Sequence, residues 1–189
     1  TVSFEIPLLL AVLAIGFQTG TLNLSTIVAK QGGWPWQWNI FVQPLAFFIY
    51  FVCAMAETNR APFDLGESES ELTGGFHTEY SGMGFALFFL AEYANMLVVC
   101  CVATALFLGG WNGPFLDGFW WFLAKAYGLL IIMMWIRWTF PRMRFDMILN
   151  LNWKWLLPLG ALNLLGTAFV LKLIETPCVK EFLEGWGIL

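Results

Sequence analysis

A chain of 189 residues in which 59% are hydrophobic and only 12% charged is no ordinary soluble domain, whose charged fraction is about a quarter. Its formal net charge of −4 arises from nine Lys and Arg against thirteen Asp and Glu, with no basic patch of the kind that holds nucleic acid. What remains is a protein whose main solvent is lipid.

Crossing a bilayer takes about 20 apolar residues, and five stretches qualify or nearly qualify: Ile6–Val28, Ile40–Met55, Met83–Gly109, Phe119–Trp138 and Trp155–Ile174. In hydrocarbon a backbone must satisfy its own hydrogen bonds, and no alternating apolar/polar pattern suggests a barrel. The expectation is therefore an all-α, polytopic integral membrane protein, a single membrane domain over residues 1–189 with a polar loop at 56–82.

The first stretch opens on Glu5 and Pro7, and a proline suits a first helical turn. It begins almost at once after Thr1 without a basic leader, so no signal peptide is expected. Either an N-terminal part is missing or another polypeptide completes the unit. Before the second and shortest stretch stands the cluster Trp34-Pro35-Trp36-Gln37-Trp38. With Trp111, Trp120, Trp121, Trp138, Trp153 and Trp155 near other expected helix ends, it reads as headgroup anchoring rather than a sugar or base platform.

Between the second and third stretches lies an acidic loop. Six of the thirteen acids (Glu57, Asp64, Glu67, Glu69, Glu71 and Glu79) fall within it, against the single cation Arg60. Such clustering beside lipid is costly and points to a site for protons, cations or a polar ligand. Arg60 beside Pro62, Phe63 and Asp64 offers a planar cation and an aromatic next to a carboxylate, a set that either binds a ring bearing carbonyl oxygens or forms a salt-bridged turn. His77, the one histidine, reads as a hydrogen-bonding loop residue rather than a metal ligand.

The third stretch carries Glu92 about ten residues in, on the order of 15 Å from its inner end. An ionised carboxylate there is expensive, so a protonated acid or a polar cavity is expected, with Asn95 one turn away on the same face. Glu5 and Glu57 mark the inner ends of the first two stretches. Each alone reads as a helix-end charge; with Glu92 they suggest an acidic path for protons. Lys125, in the fourth stretch, fits a snorkelling structural residue and a proton relay equally well.

Arg137, Arg142, Arg144 and Lys154 oppose only Asp146 in the following connection, which by the positive-inside rule faces the cytoplasm or a mitochondrial matrix. Counting back places the acidic loop on that same inner face. Cys53, Cys100, Cys101 and Cys178 lack a Cys-x-x-Cys spacing and read as small apolar residues, not metal or cluster ligands.

At these residues the chain resembles a known family. The block from Ala56 through Glu57, Thr58, Asn59, Arg60, Ala61, Pro62, Phe63 and Asp64 to Leu65 leads into Glu67, Glu69 and Glu71 and then Gly75-Phe76-His77-Thr78-Glu79-Tyr80-Ser81. Together with Phe88-Phe89-Leu90-Ala91-Glu92-Tyr93, it is similar to the H subunit of respiratory complex I, whose mitochondrial counterpart is NADH dehydrogenase subunit 1. The likeness extends to Phe4-Glu5-Ile6-Pro7, Gly109-Gly110-Trp111, the run from Arg137 to Asp146, and Trp153-Lys154. Members usually begin with about three more helices, so the resemblance is to the C-terminal five spans. Gly66, Gly84 and Phe145 depart from the residues common at those positions.

The resemblance implies a membrane subunit at the junction with a hydrophilic arm, in a bacterial inner membrane or a mitochondrial one. It would help enclose a quinone chamber and couple quinone reduction to proton translocation. Arg60, Pro62, Phe63, Asp64, Glu67, Glu69, Glu71, His77 and Glu79 correspond to the chamber loop, and Glu5, Glu57 and Glu92 to the acidic channel. Quinone would be the substrate. NADH oxidation, flavin and iron–sulfur clusters would belong to partner subunits, with no metal and no catalytic residue on this chain alone. Two other readings are a related membrane component of an energy-converting hydrogenase or similar ion-translocating complex, and an independent proton-coupled transporter, which would require discontinuous helices.

Overall fold

A computed structural model describes residues 2–63, 82–113 and 118–176, which are helical with no strand among the described residues. The helices are α1 (Val2–Thr19), α2 (Leu24–Lys30), α3 (Asn39–Val42), α4 (Pro44–Glu57), α5 (Met83–Phe107), α6 (Phe119–Thr139), α7 (Phe145–Leu151) and α8 (Leu157–Glu175). A 3-10 turn, Pro35–Gln37, precedes α3, and a π-helical turn, Asn152–Leu156, joins α7 to α8. Among the described residues, Met83–Phe107, Phe119–Thr139 and Phe145–Leu173 are long and apolar enough to cross a membrane. This is an all-helical polytopic membrane protein.

Two of the expected stretches are interrupted. The first bends by 59° between α1 and α2, and the bent pair together has the length and composition of a fourth span. Gly20, at φ +70°, takes the left-handed conformation that ends α1, and Asn23 restarts the helix by accepting the Ser25 N–H at 3.2 Å. The second breaks at Gln43 (φ −131°, ψ 66°). Pro44 drives the residue before it out of the helical region and supplies no N–H of its own. The α4 that follows has 14 residues, about 21 Å against a hydrocarbon core of about 30 Å.

The last helix starts well before Trp155. It begins at Phe145 with Asp146 in its first turn, where a carboxylate meets the positive end of the helix dipole. Trp153 and Lys154, expected in a loop, are carried exposed on the helix surface, as interfacial side chains can be.

Helix α1 packs along both α4 and α8, and α5 packs along α6, with α4 bridging to α5. Ala11, Ile15, Ala46, Ile49 and Cys53 are fully buried at these contacts, and the small residues among them let helices approach closely in lipid. Across α4 and α5, Phe107 packs on Phe47 and Tyr50 with ring centroids 5.2 and 5.5 Å apart, and the Tyr50 hydroxyl donates to Val99 O at 3.2 Å. Cys53 and Cys100 are buried and unbridged; Cys100 Sγ lies 3.6 Å from Met133 Sδ. Because α4 is short, α5 runs on past its end, and Leu87 and Leu90 on that extension are 60% and 66% exposed.

Candidate functional site

The site forms where α4 stops short. Thr58 closes the helix, its N–H donating to Ala54 O at 3.1 Å and its hydroxyl to Met55 O at 3.1 Å, while the Asn59 N–H donates to Ala56 O at 3.2 Å. Asn59 then adopts φ +48°, a left-handed conformation that asparagine tolerates better than most residues. The reversal turns the chain inward. Phe63 donates its N–H to Arg60 O at 2.9 Å, and Pro62, after a cis bond from Ala61, accepts the Met143 N–H at 3.0 Å. Phe63 is 7% exposed, its ring 5.8 Å from that of Phe4 at the start of α1. The turn is thus held at three places, by α4, α1 and the segment before α7.

Held this way, Arg60 is 6% exposed and directed at α5. Its Nη2 lies 3.3 Å from Glu92 Oε2, and its guanidinium carbon sits 4.7 Å from the centre of the Tyr93 ring, within cation–π range. Arg60 Nε and Nη2 are nevertheless buried without a hydrogen-bond partner. The pair is close enough for charge attraction but out of line for a hydrogen bond. A buried guanidinium with unused N–H donors is costly unless an acceptor reaches it.

Glu92 has a guanidinium beside it, a partner the sequence did not reveal, and remains half-exposed. Asn95 faces outward and takes no part. Glu57, three residues before Arg60, is exposed, as is Glu5 beside Phe4. Among the described residues no hydrogen bond links Glu5, Glu57 and Glu92 to one another. Asp64, Glu67, Glu69, Glu71, His77 and Glu79 lie outside the described residues. Tyr93, Phe4 and Met143 are site residues that the sequence did not mark as such. An aromatic beside an intramembrane acid was the one available signal.

At the opposite end of α5, Lys125 Nζ donates to the carbonyls of Leu108 at 2.6 Å, Gly110 at 3.2 Å and Asn112 at 2.6 Å and lies 4.2 Å from the Trp38 ring centre. Gln31 Nε2 and Asn39 Nδ2 donate to Leu106 O at 2.9 and 2.8 Å. These groups satisfy carbonyls left over at a helix C-terminus. Trp38 is accordingly a packing residue, whereas Trp34 and Trp36, 66% and 77% exposed, keep the outward placement of anchors. Among the described residues, no three His, Cys, Asp or Glu side chains gather as a metal site.

Fold and site define a class: a helical membrane protein that seats a buried cation beside a half-exposed carboxylate where a short span leaves room for a folded turn. Its sequence matches the NADH dehydrogenase family over residues 1–168, and the chain belongs to that family. It is 50% identical to the H subunit of the NADH-quinone oxidoreductase of Desulfotalea psychrophila over 183 residues, covering 91% of this chain and 55% of that protein. It is 50% identical to the H subunit numbered 1 of the same enzyme in Geobacter sulfurreducens over 173 residues, 91% of this chain and 49% of that one. With the corresponding H subunit of Dehalococcoides mccartyi the identity is 52% over 168 residues, 89% and 46% of the two chains. The chain spans about half the length of the curated relatives it matches.

Proposed function

We propose that this chain forms part of the membrane subunit of a proton-translocating NADH:quinone oxidoreductase, where it walls the quinone chamber and passes the effect of quinone reduction to the acids Glu92, Glu57 and Glu5. The observation that carries this reading is the Arg60–Glu92 pair at the end of a turn framed by Pro62, Phe63 and Tyr93. A quinone ring is apolar on its faces and accepts hydrogen bonds at its carbonyls. The unused Arg60 donors fit the carbonyl, and the aromatic frame fits the ring.

Reduction of a quinone to a quinol takes up two electrons and two protons, the electrons arriving from partner subunits. Charge developing on the bound oxygen competes with Glu92 for the same guanidinium. As that hold weakens, Glu92 favours its protonated form; when the quinol leaves, the guanidinium returns and favours proton release. The two sites thus bias one shared equilibrium. Glu5 and Glu57 are the acids along which the proton would be exchanged, and the loop acids Asp64, Glu67, Glu69, Glu71 and Glu79 with His77 complete the chamber wall. Hydrophilic quinone-module subunits would meet the inner face, other membrane subunits the flanks, and the membrane would be a bacterial inner one.

Inverted membrane vesicles carrying Glu92→Gln in the full-length protein provide the test. With NADH and a short-chain quinone, the expected result is a fall in both quinone reduction and the proton gradient formed per NADH oxidised. Unchanged rates and an unchanged gradient in a fully assembled complex would overturn the proposal.

A further inference from the structure

Two successive residues of α5 meet the Arg60 guanidinium. Its Nη2 lies 3.3 Å from Glu92 Oε2, and its carbon lies 4.7 Å from the ring centre of the next residue, Tyr93. Adjacent residues on an α-helix point about 100° apart, so carboxylate and ring approach the cation from different directions. Tyr93 is 46% exposed and stands outside the buried core. Filling the core is therefore not its task.

The two contacts differ in what they depend on. Glu92 attracts the guanidinium only while it is ionised, and at 39% exposure it is open to water and to a proton. Neither Nη2 nor Nε makes a hydrogen bond, so no directional bond at those atoms fixes the guanidinium beside the acid. The ring acts otherwise. Its negative face is a fixed property of the π-system, and it attracts a cation whatever the protonation of its neighbour. That attraction is strongest where the cation is desolvated, and the Arg60 side chain is 7% exposed. A guanidinium, planar and weakly hydrated, is the cation best suited to an aromatic face.

We infer that Tyr93 is a positioning residue for quinone reduction: its ring retains the Arg60 guanidinium while that cation's partner changes from Glu92 to a quinone carbonyl and back. The inference rests on the quinone reading of the Arg60 turn and adds to it how the cation is kept in place. Held by Glu92 alone, the guanidinium would be released each time the carboxylate lost its charge. With the ring as a pivot that does not titrate, it stays within reach of both partners. The ring, and not the phenol hydroxyl, is what the role requires.

The test is a set of variants of the full-length protein in inverted membrane vesicles, assayed with NADH and a short-chain quinone. Each rate is scaled to NADH oxidation by ferricyanide, which needs no quinone site. Arg60→Met should raise the KM for the quinone about tenfold. Tyr93→Leu should raise it about fivefold, with kcat within about twofold of the parent. Tyr93→Phe, which keeps the ring and drops the hydroxyl, should recover most of that loss. Added to Arg60→Met, Tyr93→Leu should raise KM no further, because it acts through the arginine. An unchanged KM in Arg60→Met would bring down the quinone reading of the site and the inference with it. Where Arg60→Met does raise KM, three results would overturn the role of Tyr93 alone: no rise in Tyr93→Leu, an equal rise in Tyr93→Phe, or a further rise when Tyr93→Leu is added to Arg60→Met.

Discussion

Arg60 and Glu92 meet across the gap left by a short helix: Nη2 and Oε2 are 3.3 Å apart, with the arginine side chain 7% exposed and the glutamate 39%. The asymmetry in exposure matters more than the distance. The cation has been taken almost wholly out of water, while the anion keeps part of its surroundings. Each partner therefore depends on the other to a different degree.

Removing the carboxylate should cost more than removing the guanidinium. Glu92→Gln strands a buried cation, while Arg60→Met leaves a half-exposed acid and supplies apolar volume in exchange. We expect Glu92→Gln to destabilise the protein by about 2–3 kcal/mol and Arg60→Met by about 1 kcal/mol, below the full cost of breaking a wholly buried pair because Glu92 is partly open. The double variant should cost less than the sum, since the two side chains are in contact. Denaturant titrations of the purified protein in detergent would measure all three. Strict additivity would show that the pair contributes nothing by being a pair.

The packing of Phe63 on Phe4, with centroids 5.8 Å apart, ties the Arg60 turn to α1. Phe63→Ala should cost about 3 kcal/mol, in the range for removing a buried aromatic ring, while Phe63→Leu should recover most of it. The more telling readout is local. Protease cutting between Thr58 and Phe63 should speed up in Phe63→Ala before the helices unfold. If cutting there rises only with global unfolding, the ring is not what holds the turn.

Much of this architecture could be read from the sequence, because lipid imposes two requirements that leave a clear trace: long apolar runs and helical backbone. The runs from Met83 and Phe119 begin where their helices begin. What failed were the breaks. Gly20 and Pro44 are helix-breaking residues inside apolar stretches, and hydropathy summed over a window does not register them. The start at Phe145 was lost for the opposite reason, since Lys154 and Trp153 look like loop residues although a helix surface near the headgroups holds them equally well. The acids of the site stood out in the sequence, but their pairing did not. Glu92 and Arg60 are separated by 31 residues of sequence, and only the shortness of α4 brings them to one level.

The placement of Lys125 favours the structural one of the two roles that the sequence left balanced. Its ammonium is shared by three carbonyls, those of Leu108, Gly110 and Asn112, at the C-terminal end of α5. Lys125→Met should leave those carbonyls unmatched and cost about 1–3 kcal/mol. Lys125→Arg should not restore the loss, because a planar fork does not converge on three acceptors as an ammonium does. Proton translocation per NADH oxidised should stay unchanged in whatever fraction remains folded. Normal stability with reduced translocation would instead make Lys125 a relay.

Asn152 stands at the first residue of the π-helical turn, fully buried, and donates from Nδ2 to both the backbone oxygen and the hydroxyl of Ser3 in α1. The wider π turn swings this side chain out of the regular helical register, and the bond fixes where α1 crosses the last helix. Asn152→Ala should cost about 2 kcal/mol, from the lost bonds and the space left behind. Ser3→Ala should cost under about 1 kcal/mol, because the Ser3 backbone oxygen still accepts. Hydrogen exchange separates the two further: amides in the first turns of α1 should exchange faster in Asn152→Ala and near the parental rate in Ser3→Ala. Equal costs for both variants would mean that the serine hydroxyl, and not its backbone, carries the contact between the helices.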